Sequence, residues 1–268
     1  MLFRLNSVEL GLVLAAIVFG ATGIAVLLGR RHREHSEMRE PFAVLQGALL
    51  GVVGLILAFG LSLAVGRYQD RRAAVVDEAN AIGTTYLRAQ MLAEPARSQS
   101  LALLMRYTDQ AIRLSSDVPE SANAKRIIAT ENLLQRRLWA LAGQAVAAAP
   151  VDTAPRLYVE TLNEMIDAQG VRVAGLNNRV PAEVWVLEIV GAAAAVAMLA
   201  FYLAVLGRGL LTVLIAAGLV TMLLYVSFDL DRPTRGLITV PNGPLVSLRA
   251  SMVLPPAASG PAQRSITR

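Results

Sequence analysis

Few residues in this chain are equipped for bond-making chemistry, and none stands in a catalytic arrangement. His32 and His35, with Glu34 and Glu37 beside them, have the side-chain types of a metal site. Two histidines without a third fixed ligand fit a solvated loop better, so no metal and no other cofactor is expected. The chain has no cysteine, which removes thiolate nucleophiles, disulfides and cysteine metal sites. It also lacks a nucleophile elbow, a phosphate-cradling glycine loop and a zinc-protease helix motif, and the sequence does not point to an enzyme.

The other polar groups are better suited to handling charge. Asp77, Glu78 and Asn80 follow Arg67, Arg71 and Arg72, a grouping that reads either as salt bridging between helices or subunits, or as a charged vestibule that concentrates ions. Glu188 opens an apolar run; it is either functional or near enough to a helix end to reach the membrane interface. Asp229 and Asp231, in Phe-Asp-Leu-Asp-Arg-Pro, can cap a membrane boundary, pair with Arg67, Arg71 or Arg72, or bind a cation. Net charge is +5 with Lys125 the only lysine, and the arginines are interleaved with acids, so nucleic acid is not an expected partner. Arg30, Arg31 and Arg33 lie beside an apolar run and suit anionic lipid.

These groups are positioned by four uncharged apolar runs, Leu10 to Gly29, Pro41 to Gly66, Ile189 to Gly207 and Gly209 to Phe228. Each has about the 20 residues that a helix needs to cross the hydrocarbon core of a bilayer. A lipid bilayer is therefore the first expected partner. The first run is longer than the core of a signal peptide and ends in Gly-Arg-Arg, which favours a retained helix. The short hairpin loops must share one side of the membrane, leaving the termini and the central region on the other. Nine arginines against five near the helix ends favour a cytoplasmic central region and termini.

Between the two hairpins, four amphipathic stripes recur at helical spacing. They run through Val75, Ala79, Ile82, Tyr86 and Ala89; Leu104, Tyr107, Ala111 and Leu114; Leu134, Leu138, Leu141 and Ala145; and Leu162, Ile166, Gln169 and Val173. Breaks are expected at Glu94-Pro95, from Ser115 to Asn123, and from Ala149 to Pro155, with a fresh helix start at Val180-Pro181. No break separates Gly66 from Arg67, so the second membrane helix is expected to continue into the central region as one rod. The expected fold is all-α, with a first transmembrane hairpin at 1–66, a soluble helical domain at 67–180, a second hairpin at 181–231 and a largely irregular tail at 232–268.

The second run carries Gly47, Gly51, Gly54, Gly60 and Gly66. Small residues let membrane helices pack closely. Gly51, Leu55 and Phe59 also fall four apart on one face, and several copies of that face around an axis would form an apolar constriction that gates by dewetting.

The segments Leu57-Ala58-Phe59, Arg67-Tyr68-Gln69-Asp70-Arg71-Arg72 and Asp77 through Thr84, with Leu92 to Arg97, Val180 to Trp185, and Leu230-Asp231-Arg232-Pro233 with Gly236, resemble the bestrophin-like family of bacterial membrane proteins. A more distant similarity is to bestrophins themselves, pentameric ion channels whose second membrane helix lines a hydrophobic neck. The resemblance implies neck positions at Phe59, Leu55 and Gly51, the face already marked by spacing. Gly51 departs from the bulky apolar residue expected at the outer position, and the stretch Asp231 to Gly236 lacks the acidic calcium clasp of animal bestrophins, so calcium gating is not expected. The resemblance implies a homo-oligomer, a pentamer, that passes inorganic ions through a bacterial inner membrane, with Arg67, Arg71, Arg72, Asp77, Glu78 and Asn80 at its inner mouth. A non-conducting membrane sensor or scaffold is the competing expectation.

Overall fold

A computed structural model describes residues 6–32, 39–207 and 209–255. The expectations for Arg33, Glu34, His35, Glu37, Arg208 and the last dozen residues lie outside the described residues. Eight helices are described: α1 (Ser7–Arg31), α2 (Arg39–Ala89), α3 (Ala96–Ser115), α4 (Ala122–Ala148), α5 (Thr153–Asn177), α6 (Ala182–Val205), α7 (Leu210–Leu230) and α8 (Gly243–Ser251). The fold is all-α. The unbroken sequence from Gly66 to Arg67 falls within α2, which runs through 51 residues. The chain divides into two compact units, Met1–Gln69 with Arg179–Thr239, and Asp70–Asn178 with Val240–Arg268.

The first unit holds α1, α6, α7 and the first part of α2. Segments long and apolar enough to cross a membrane lie within Ser7–Arg31, Gln46–Ala89, Thr153–Val205 and Leu210–Leu230. Its interior combines small residues with large apolar ones, Leu10, Leu14, Trp185, Leu224 and Phe228 among them. Ala192, Ala195, Ala200 and Ala217 are buried, whereas Leu12, Ile24, Leu27, Val190, Leu211, Leu219 and Met222 face outward. Large aliphatic groups facing outward suit a helix bundle surrounded by lipid, and the buried alanines let helix backbones approach closely. α1 and α6 approach so closely at Gly29 that an added Cβ would lie 2.6 Å from the Phe201 carbonyl oxygen. α1 starts with a capping box: the Asn6 side chain accepts from the Glu9 N–H at 2.7 Å, and the Glu9 carboxylate accepts from the Asn6 N–H at 2.8 Å. Between α6 and α7, Gly207 and Gly209 have φ of 73° and 85°, backbone that a side chain would strain.

The second unit contains the remainder of α2 with α3, α4, α5 and α8. The four stripes meet in one core, where Ile82, Leu104, Tyr107, Leu138, Tyr158, Leu162 and Met165 are inaccessible to solvent. Ser121 caps α4 by accepting from the Ala124 N–H at 2.9 Å. Within the tail, expected to be largely irregular, Gly243–Ser251 forms α8. Leu245 and Met252 enter the core, the Tyr86 hydroxyl donates to the Met252 carbonyl at 2.8 Å, and Arg249 pairs with Asp109 at 2.7 Å. Asn242-Gly243-Pro244 reads as a turn but begins the helix, because proline in the first turn gives up no intrahelical hydrogen bond.

Candidate functional site

Within the first unit, α2 has two unlike faces. Gln46, Val53, Leu57, Gly60 and Ala64 are buried and fall on one side at helical spacing. Gly51, Leu55 and Phe59 fall on the side directly opposite, and Leu55 and Phe59 are 58% and 63% exposed. Packing among the described residues of the chain therefore leaves this triad uncovered. Nothing lies within 4 Å of a Cβ added at Gly47, Gly51, Gly54 or Gly66, so these glycines do not serve contacts with the described helices of the same chain.

Gly60 does serve one. A Cβ there would overlap the carboxylate of Glu188 on α6, which rests directly against the α2 backbone. Glu188 is buried, and neither of its carboxylate oxygens has a hydrogen-bond partner among the described residues. It lies one turn beyond Trp185, whose ring stacks on Phe228 with centroids 3.7 Å apart.

Asp229 and Asp231 are also buried and organise the chain around the end of α7. Asp229 accepts from the Ile238 N–H at 2.8 Å, and its carboxylate comes so close to Gly236 that a Cβ there would lie 2.7 Å away. Asp231 accepts from the Val180 N–H at 3.1 Å, tying the start of α6 to the end of α7. Both carboxylates thus accept from backbone N–H groups.

The charged group on the continuing part of α2 splits in two. Arg72, Asp77 and Asn80 are exposed, and Arg67 is half-buried. Arg71 is buried and donates to the Gly175 carbonyl at 3.0 Å and the Asn178 carbonyl at 2.7 Å, closing the C-terminus of α5. Glu78 is completely buried in an ion pair with Arg172, which removes it from any surface an ion could meet. Arg172 also donates to the Ala111 carbonyl at 2.7 Å and the Ser115 hydroxyl at 2.9 Å. The Tyr107 hydroxyl donates to Glu78 at 3.2 Å.

A second carboxylate in that core, Glu131 on α4, accepts from the Gln169 amide at 3.1 Å. Burial, and then the negative charge of Glu78, push the Glu131 carboxyl up to about 7. Burial and the same two carboxylates hold the Tyr107 hydroxyl well above its ordinary range. Sequence reasoning missed Glu131 and the role of Arg172. The signal was present for Glu131, since it occupies the same face as Leu134, Leu138 and Ala145 of the third stripe, where a carboxylate needs a partner.

No curated protein matches this chain in sequence. Among solved structures, a point variant of a bacterial bestrophin homologue from Klebsiella pneumoniae superimposes with a TM-score of 0.67 at 14% identity, over 88% of this chain and 97% of that one. Another structure of a Klebsiella pneumoniae bestrophin homologue gives 0.62 at 14% identity with the same coverage. The backbone fold is therefore shared with those proteins. The sequence itself matches the bestrophin-like domain model over residues 12–245, and together with its membrane-spanning helices this makes the chain a membrane protein that belongs to the bestrophin-like family.

Proposed function

We propose that this chain is one subunit of a homo-oligomeric, pentameric ion channel in a bacterial inner membrane, with α2 lining a hydrophobic neck formed by Gly51, Leu55 and Phe59. The observation that carries the reading is the uncovered triad on the side of α2 opposite its internal packing. An apolar ring of this kind holds back ions when dewetted and passes them when it widens. The helical domain and both termini face the cytoplasm, and Arg67, Arg72, Asp77 and Asn80 set the field through which ions reach the neck. The channel performs no bond chemistry and needs no cofactor.

Replacing Leu55 and Phe59 together with alanine raises basal ion flux in liposomes reconstituted with the purified protein. Flux equal to that of the unsubstituted protein, from an intact oligomer, would count against a neck at these positions. A non-conducting sensor or scaffold is favoured by one feature, the uninterrupted α2 helix from Arg39 to Ala89, which can relay movement. An oligomer that shows no flux for any small cation or anion supports that second reading.

A further inference from the structure

A closed ring of identical subunits needs two different surfaces on each copy, one complementary to the other. Within the helical unit, α4 and α5 carry such a pair. On α4, Lys125, Arg126, Arg136 and Arg137 are all exposed, and Leu133 and Trp139 stand among them at 58% and 46% exposure. The helix has one acid, Glu131, and it is buried in the core. The exposed surface of α4 is therefore purely basic, with a large aromatic group that the subunit itself leaves partly uncovered.

α5 has the opposite character. Glu164 and Asp167 are exposed, as is Glu160, which pairs with Arg88 at 3.1 Å, and beyond them Gly170 and Ala174 flank Val171, which is 64% exposed. Of its two arginines, Arg172 is buried against Glu78, and Arg156 donates to the Pro150 carbonyl at 2.7 Å. The acidic face ends in a small apolar patch of Gly170, Val171 and Ala174.

We propose that the basic, tryptophan-bearing face of α4 on one copy docks on the acidic face of α5 on the next, head to tail around the ring. The inference rests on the oligomeric channel proposed above and names the soluble contact that fixes the register of its subunits. Charge complementarity sets orientation and excludes wrong pairings, and the buried aromatic group supplies the adhesion that exposed ion pairs do not. A head-to-tail contact between unlike faces builds a ring when its rotation closes, whereas a like-with-like contact would stop at a dimer.

Two experiments on the full-length protein in detergent test it. Reversing Arg136 and Arg137 to glutamate, or Glu164 and Asp167 to arginine, raises the concentration at which the oligomer dissociates by roughly tenfold or more, and combining both reversals restores it. Because the chain has no cysteine, copies carrying Trp139→Cys under one affinity tag can be co-expressed with copies carrying Val171→Cys under another. Oxidation then yields a disulfide-linked species bearing both tags, which only contact between subunits can form. An intact oligomer in both reversed variants, with no doubly tagged species, overturns this interface and leaves the channel proposal standing. Weakening by the α4 reversal alone, without rescue, also overturns it and assigns the basic face to a different acidic partner. A wild-type protein of monomeric mass overturns the oligomeric reading itself.

Discussion

Glu131→Gln isolates the cost of a second carboxylate in the helical core. One guanidinium, that of Arg172, sits among the Glu78 and Glu131 carboxylates. The Glu131 carboxyl is held near 7 in the folded protein against an ordinary value of 4.5. Its folded form thus binds a proton more tightly than its unfolded form, so the stability it contributes is fully present below pH 4.5 and is lost as pH rises to 7. At about 1.4 kcal/mol per pH unit the full effect is about 3 kcal/mol. Glutamine keeps an acceptor for the Gln169 amide and carries no charge. At pH 8 the variant should be more stable by up to that amount, a rise of roughly 6–12 °C in Tm for a protein of this size. Near pH 4.5 the two proteins should melt together. The measurement is thermal unfolding in one detergent at one scan rate, followed by tryptophan fluorescence, since Trp139 lies on the same helix as Glu131. A difference that does not change with pH, or a variant less stable at pH 8, refutes the reasoning.

Gly60→Ala should lower Tm by an amount corresponding to about 1–3 kcal/mol, because the new methyl overlaps the Glu188 carboxylate, and the added change Glu188→Ala should recover most of it; a single variant as stable as the parent would refute the contact. Arg172→Met should destabilise the helical unit by about 3–5 kcal/mol in denaturant titrations, since it leaves Glu78 buried without its counter-charge, and Glu78→Gln on that background should recover part of the loss.

Much of the architecture is legible from local pattern. The apolar runs, the four stripes and the breaks at Glu94-Pro95 and from Ser115 to Asn123 each depend on residues close together in the chain, and the described helices follow them. The opposition of the two α2 faces is legible for the same reason, since Gly51, Leu55 and Phe59 repeat at helical spacing. What stayed hidden depends on pairings across the chain. Nothing near Glu188 in sequence indicates that its carboxylate rests on Gly60, and salt bridging between helices is a reading open to Glu78 from sequence, but its partner Arg172 lies 94 residues away. α8 escaped notice for a different reason: nine residues are too few to establish a period, and their leading Gly-Pro signals a turn as readily as a helix start.

The place of α8 has a consequence for biosynthesis. Its Leu245 and Met252 fill a core whose other walls come from α2 through α5, but α6 and α7 are translated in between. Both membrane hairpins must therefore leave the ribosome before the helical bundle can be completed. Until then its core lies open on the α8 side, and a chain arrested after α7 would present that apolar surface to chaperones and proteases. Synthesis of both apolar helix pairs thus precedes, by necessity of chain order, the final closure of the domain encoded between them.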